Sequence, residues 1–267
     1  MQIYELKMKP ANFFAILLHI LSICGKKVIP LHPETVINQY MNKTISVYGI
    51  AYLVLLMLVI GLLCMYPKLE LHLLLNSWHT EFEDTFFKYY SMLAEGPLYV
   101  LALLPILWRE IQITVLFTLS ELTGGAVLQV LKHTFSFDRP VSAFEHYGNA
   151  MLPLVQGVDM HHSNSFPSGH ASTFFVFFTC CALFLAYNYK QNHQPGNSRK
   201  WFLINASMLA LLILAALGAY SRIYLSQHFL SDVCVGSIIG FMTPCLFFFF
   251  AKGMITKISN KLYQLKR

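Results

Sequence analysis

Three short stretches of this chain, KHTFSFDRP (132–140), PSGH (167–170) and SRIYLSQHFLSD (221–232), carry Lys132, Arg139, His170, Arg222, His228 and Asp232. His228 and Asp232 are four residues apart, a spacing that puts them on one helix face and within reach of each other. A carboxylate accepting from one ring nitrogen fixes the tautomer and leaves the other nitrogen free as a nucleophile. His–Asp helix pairs are common on surfaces, so this pair gains meaning only from its neighbours. Arg222, six residues before His228, offers a planar fork of donors that matches phosphate oxygens. Lys132 and Arg139 can add to that charge, although interfacial cations also serve as headgroup anchors. Pro140 stiffens the chain as it leaves Arg139.

The PSGH stretch contributes donors of another kind. Pro167 suits a first helical position, where its missing N–H costs nothing. The N–H groups of Ser168, Gly169 and His170 are then expected to be unpaired at a helix start, with the positive end of the macrodipole behind them. Such an end is a ready anion site. Gly169 lets the backbone come close, the Ser168 hydroxyl can donate, and His170 is placed to give a proton to a leaving oxygen. Together these groups are what phosphoryl transfer through a phosphohistidine needs, because positioning and charge stabilisation lower its barrier. The cationic side chains can supply the positive charge, so the sequence implies no metal and no cofactor.

The elements that must position these groups are membrane helices. Of the 267 residues 56% are hydrophobic and only 12% charged, about half the charge of an ordinary soluble domain. The apolar residues gather in runs near the length that crosses a bilayer. The runs predict an all-α bundle of six spans at roughly 48–66, 90–108, 111–131, 169–188, 201–219 and 233–251. Glu95 and Pro97 interrupt the second. Basic residues are split unevenly: five in 1–47, Arg109, three in 188–200 and five in 252–267, against Lys68, Lys88, Lys132, Arg139 and Arg222 on the other side. That asymmetry predicts cytoplasmic termini and puts all three motifs on the opposite, exterior side. The net charge of +6 lies between and beyond the apolar runs, which argues against a nucleic-acid partner.

Three segments are expected. They are an N-terminal cytoplasmic or interfacial segment (1–47), the six-span unit (48–251) and a basic cytoplasmic tail (252–267). Residues 11–24 are too short to span and lack a small-residue cleavage site, so they are read as a short interfacial helix. The six cysteines show no metal-like Cys-x-x-Cys spacing and read as small core or lipid-facing residues. Glu121 is an acid in the middle of span three, either tied to substrate or hydrogen-bonded within the bundle. His146, His161 and His162 lie in the loop 141–166, which is expected to roof the site, and are open to headgroup contact or to solvent.

The spellings Lys-x6-Arg-Pro, Pro-Ser-Gly-His and Ser-Arg-x5-His-x3-Asp, in this order, resemble the signature of the type 2 phosphatidic acid phosphatase superfamily. This superfamily includes membrane lipid phosphatases and is related to vanadium haloperoxidases. The resemblance implies that His228 attacks phosphorus, Asp232 orients it, and His170 protonates the leaving alcohol and then activates water. It further implies that Lys132, Arg139, Arg222, Ser168 and the Gly169 N–H hold the phosphate. Asp138 departs from the family, many of whose members carry a neutral or basic residue there. The implied partners are the membrane and a lipid phosphate such as phosphatidic acid, phosphatidylglycerol phosphate, undecaprenyl pyrophosphate or lipid A. The implied location is a bacterial inner membrane. A phosphotransferase using the same phosphohistidine is an alternative. A transporter fits less well, because the charges gather at span ends and no internal repeat is present.

Overall fold

The structure, a computed structural model, describes residues 37–96, 111–147, 151–192 and 198–265. Among the described residues the chain is all helical: α1 (Ile37–Met65), α2 (Lys68–Leu75), α3 (Glu81–Met92), α4 (Ile111–Thr134), α5 (Pro140–Tyr147), α6 (Gly169–Asn192), α7 (Ser198–Tyr224), α8 (Leu230–Phe250) and α9 (Lys252–Leu265). Five of these contain segments long and apolar enough to cross a bilayer: Val47–Met65, Ile111–Thr134, Gly169–Tyr187, Trp201–Tyr224 and Leu230–Phe250. Most of the expected second span, 90–108, lies outside the described residues, as does the expected interfacial helix at 11–24. Three boundaries differ from the sequence reading. Helix α1 reaches back at least to Ile37, α7 runs on to Tyr224 and so contains Arg222, and the basic tail is the helix α9.

Helix α6 is the axis of the bundle: 83% of its apolar window is buried, against 11% for α1. Its residues Ala171, Val176, Cys180 and Leu183 are wrapped by α4, α7 and α8. On α1, by contrast, Leu53, Val54, Met57 and Leu58 point outward, as lipid-facing residues do. Small residues set the closest approach. The position a Cβ would take on Gly236 falls on the Ser168 carbonyl, and that on Gly240 falls on the Ser172 carbonyl. Two glycines four apart therefore let α8 lie directly on the start of α6, as small-residue faces do between membrane helices. Within α4 and α6, Glu121 accepts a hydrogen bond from Thr173 Oγ1 at 2.6 Å, so this acid joins two spans.

Outside the spans, α2 and α3 form a cap. Thr80 begins α3, accepting from the Glu83 N–H at 3.2 Å and donating to the Glu83 carboxylate at 2.9 Å, with Glu81, Glu83 and Asp84 in the first turn where the dipole favours them. Helix α3 lies along α7: the Tyr90 hydroxyl donates to Leu214 O at 2.9 Å and the Tyr224 hydroxyl to Asp84 Oδ1 at 2.6 Å.

Candidate active site

The short turn 225–229 between α7 and α8 carries His228, and its shape is fixed by the chain itself. The N–H groups of Gln227 and His228 both donate to Arg222 O, at 2.9 and 3.0 Å, so Arg222 and His228 are tied through the main chain. Ser226 takes a left-handed conformation with φ 53°, which costs a non-glycine residue about 1 kcal/mol. Its side chain is held in return: Asn76 Nδ2 donates to Ser226 Oγ at 2.6 Å, and Ser226 Oγ donates to Pro153 O at 3.2 Å. Asn76 is fixed in turn by His79, which bonds Asp84. A polar chain from α3 thus pins the turn. His72 packs edge-on against Phe229 and, at 3.4 Å, meets Ser226 Oγ with Nε2.

Asp232, in the first turn of α8, joins the second and third motifs. Its main-chain oxygen accepts from the Ser168 N–H at 3.0 Å. Its Oδ2 accepts from the Phe229 N–H at 3.1 Å and from Ser165 Oγ. His228 Nδ1 lies 3.8 Å from the same oxygen, beyond hydrogen-bond length, and has no hydrogen-bond partner in this structure. A proton on Nδ1 would face Asp232, which leaves Nε2 as the free nitrogen. Burial, first of all, pushes the pKa of His228 down to about 4; Arg139 and Arg222 act in the same direction and Asp232 opposes them. The ring is therefore neutral at physiological pH, as a nucleophile must be.

The first motif joins at Arg139, which is 8% exposed. Its Nη1 donates to Gln227 O at 3.1 Å and to Gln227 Oε1 at 3.2 Å, and its Nε donates to Ser163 O at 2.9 Å. Burial works against its charge and Asp232 works for it. Lys132, at the last turn of α4, is within electrostatic range of Arg139, Arg222 and Asp232. Arg222 Nη1 donates to Ser91 Oγ on α3, while its Nε has no partner. His170 sits in the first turn of α6, within electrostatic range of Arg222, His228, Arg139 and Lys132. The three motifs, far apart in sequence, meet at one place with three cations near two imidazoles.

One expectation needs correcting. Helix α6 starts at Gly169, not at Pro167, and Ser168 is its cap: Ser168 Oγ accepts from the Ala171 N–H at 3.4 Å. The Ser168 N–H is used by Asp232 O and is not free for an anion. Its hydroxyl and the Gly169 main chain remain at the helix start.

The loop 151–166 covers the site and is laced down through its main chain. Arg139 N donates to His162 O at 3.1 Å, Ser165 N to Phe137 O at 2.9 Å, and Gln227 Nε2 to Asp159 O at 3.0 Å. His162 also meets Ser142 Oγ with Nδ1 at 3.2 Å. His161 is exposed, and His146 packs against Tyr147. Ser91, Glu95, Ser165 and Gln227 escaped the sequence reading. Gln227 adjoins His228, and Ser91 and Glu95 stand four apart at the end of α3 and in the turn after it, so a signal existed for three of them. Ser165 gave none.

With α6, α7 and α8 presenting these groups at one end of a helical bundle, the chain belongs to the PAP2 superfamily, whose family model matches residues 113–253. It is similar to dolichyldiphosphatase 1 of Callithrix jacchus, with 35% identity over 98 residues, 36% of this chain and 40% of that protein. The Homo sapiens dolichyldiphosphatase 1 matches the same shares at 34% identity. Phosphatidylglycerophosphatase B of Bacillus subtilis (strain 168) is 34% identical over 111 residues, 40% of this chain and 45% of that protein. The match thus spans less than half the length of these relatives. In fold, the chain resembles the crystal structure of Aquifex aeolicus LpxE, with a TM-score of 0.52 and 24% identity over 68% of this chain and 95% of that one.

Proposed function

We propose that this protein is a membrane lipid phosphate phosphatase acting through a phosphohistidine. The observation that carries the reading is the Asp232 junction. One residue binds the start of α6 through its carbonyl and stands 3.8 Å from the His228 ring through its carboxylate. The nucleophile and the anion-binding helix start are thereby held in one frame. In the reaction, the Nε2 lone pair of His228 forms a bond to phosphorus and the bond to the leaving oxygen breaks. That oxygen takes its electron pair and a proton from His170. His170, now neutral, takes a proton from water, whose oxygen attacks phosphorus and releases the histidine. Lys132, Arg139, Arg222, the Ser168 hydroxyl and the Gly169 N–H meet the charge on the non-bridging oxygens.

The substrate class we favour is a polyprenyl diphosphate, with phosphatidylglycerol phosphate, phosphatidic acid and lipid A phosphates as alternatives. The names of the similar proteins support the first two, and a site at the ends of apolar helices suits a substrate whose tail stays in lipid. The distribution of Lys and Arg supports a site on the exterior face with cytoplasmic termini.

The test is phosphate release from these lipids in detergent with EDTA present, for the wild type and His228→Ala. Release from at least one lipid, inhibited by vanadate and abolished in His228→Ala, is expected. Full activity in His228→Ala would refute the mechanism. Labelled phosphate passing to an acceptor lipid with little free phosphate would make the protein a phosphotransferase.

A further inference from the structure

An acid faces the candidate general acid from an element that no motif includes. Glu95, in the turn that follows α3, places Oε1 3.9 Å from His170 Nε2. That nitrogen is buried and has no hydrogen-bond partner. Glu95 is also within electrostatic range of Arg222, which Ser91, four residues earlier, holds through its hydroxyl. The other charged or titratable groups acting on His170 are Arg222 from α7, His228 from the turn before α8, Arg139 from the segment before α5, and Lys132 from α4. Among the described residues, Glu95 is the acid recorded within 4 Å of a His170 ring nitrogen.

A carboxylate at the edge of an anion pocket is costly, because it repels the phosphate the pocket must bind. An offsetting gain is available at His170. His170 faces three fixed cations, yet a general acid must hold a proton until the leaving oxygen needs it. We infer that Glu95 is a positioning residue that keeps the proton on His170 until the phosphorus–oxygen bond breaks. The imidazolium charge is shared by both ring nitrogens, so a carboxylate near Nε2 favours the protonated ring whichever nitrogen delivers the proton. At 3.9 Å the carboxylate is within range to stabilise the imidazolium charge. The inference rests on the phosphatase reading above.

The test compares wild type, Glu95→Gln and Glu95→Asp on two substrates: a lipid phosphomonoester from the panel, whose alkoxide leaving oxygen needs a proton, and p-nitrophenyl phosphate, whose leaving group departs without one. The quantity is kcat/KM, which reads the steps through leaving-group departure. For the lipid, Glu95→Gln is expected to lose about tenfold at neutral pH, a modest share of what general acid catalysis supplies. The alkaline limb of its pH profile is expected to move about one unit toward acid, the reach of a half-exposed carboxylate at this distance. Glu95→Asp is expected to restore most of the rate. For p-nitrophenyl phosphate the Gln variant keeps its kcat/KM or gains slightly, because repulsion has been removed. Equal losses on both substrates with an unmoved pH profile would overturn the inference, and so would no loss on either. In either case His228→Ala would still be inactive, so failure here is distinguishable from failure of the phosphatase reading.

Discussion

Replacing Gly236 with alanine is expected to cost more activity than stability. At an open helical position Gly→Ala gains about 1 kcal/mol, because alanine loses less backbone freedom. At Gly236 the added Cβ would fall well inside van der Waals contact of the Ser168 carbonyl and 3.2 Å from Ala171 Cβ. The first neighbour is main chain and cannot swing aside. Overpacking of this kind costs about 1–3 kcal/mol, so the net loss of stability should be about 1 kcal/mol. The only relief is for α8 to move off the start of α6. That stretches the 3.0 Å bond from Ser168 N to Asp232 O and carries His228 away from His170. A displacement of about 1 Å at a reacting centre can cost about 100-fold in rate. The assay is kcat/KM for phosphate release alongside thermal unfolding in the same detergent. Gly125→Ala serves as the control, since nothing lies within 4 Å of its Cβ. The control should be as active as the wild type and unfold at an equal or higher temperature. If Gly236→Ala also keeps wild-type kcat/KM with a raised midpoint, the contact between α6 and α8 does not set the site.

Gln227→Leu removes one acceptor from the buried Arg139 guanidinium and the donor that holds Asp159 O. A stability loss of about 2 kcal/mol and a roughly tenfold higher KM are expected, with kcat less affected; an unchanged KM would mean that Gln227 does not orient Arg139 for phosphate. Acid should destabilise the fold through two histidines, His72 and His228, whose pKa burial lowers from 6.5 to about 4. Both are deprotonated in either state above pH 6.5, so their contribution is intact there. It is lost as pH falls from 6.5 to about 4, because the unfolded chain takes up protons first, by about 3 kcal/mol for each group. The unfolding midpoint should fall across that window, and more shallowly in His72→Leu.

What the sequence made legible is what depends on composition and spacing. The start of α6 at Gly169 is marked by where an apolar run begins. The common end of the bundle at which Lys132, His170, Arg222 and His228 stand follows from alternating crossings alone. Helix lengths were less legible at the wet ends, because polar residues such as Arg222 and Ser221 continue α7 past the apolar run that betrays it. What an N–H bonds to was not legible at all. The Ser168 N–H is claimed by Asp232 O because Gly236 and Gly240 let two helices touch, and that depends on their relative rotation rather than on either motif.

The same reasoning explains why Ser91 and Glu95 matter to the site without belonging to any motif. A motif names the groups that touch phosphate, but three clustered, partly buried cations repel one another. Something must hold them before substrate arrives. Here Gln227 and Ser163 occupy Arg139, Ser91 occupies Arg222, and Glu95 faces His170. Two of those four come from α3 and the turn after it, an element that packs along α7 through the Tyr90 hydroxyl on Leu214 O and through Asp84, which accepts from the Tyr224 hydroxyl. A change in that packing, such as Tyr90→Leu, would therefore reach the chemistry by moving Ser91 and Glu95 together.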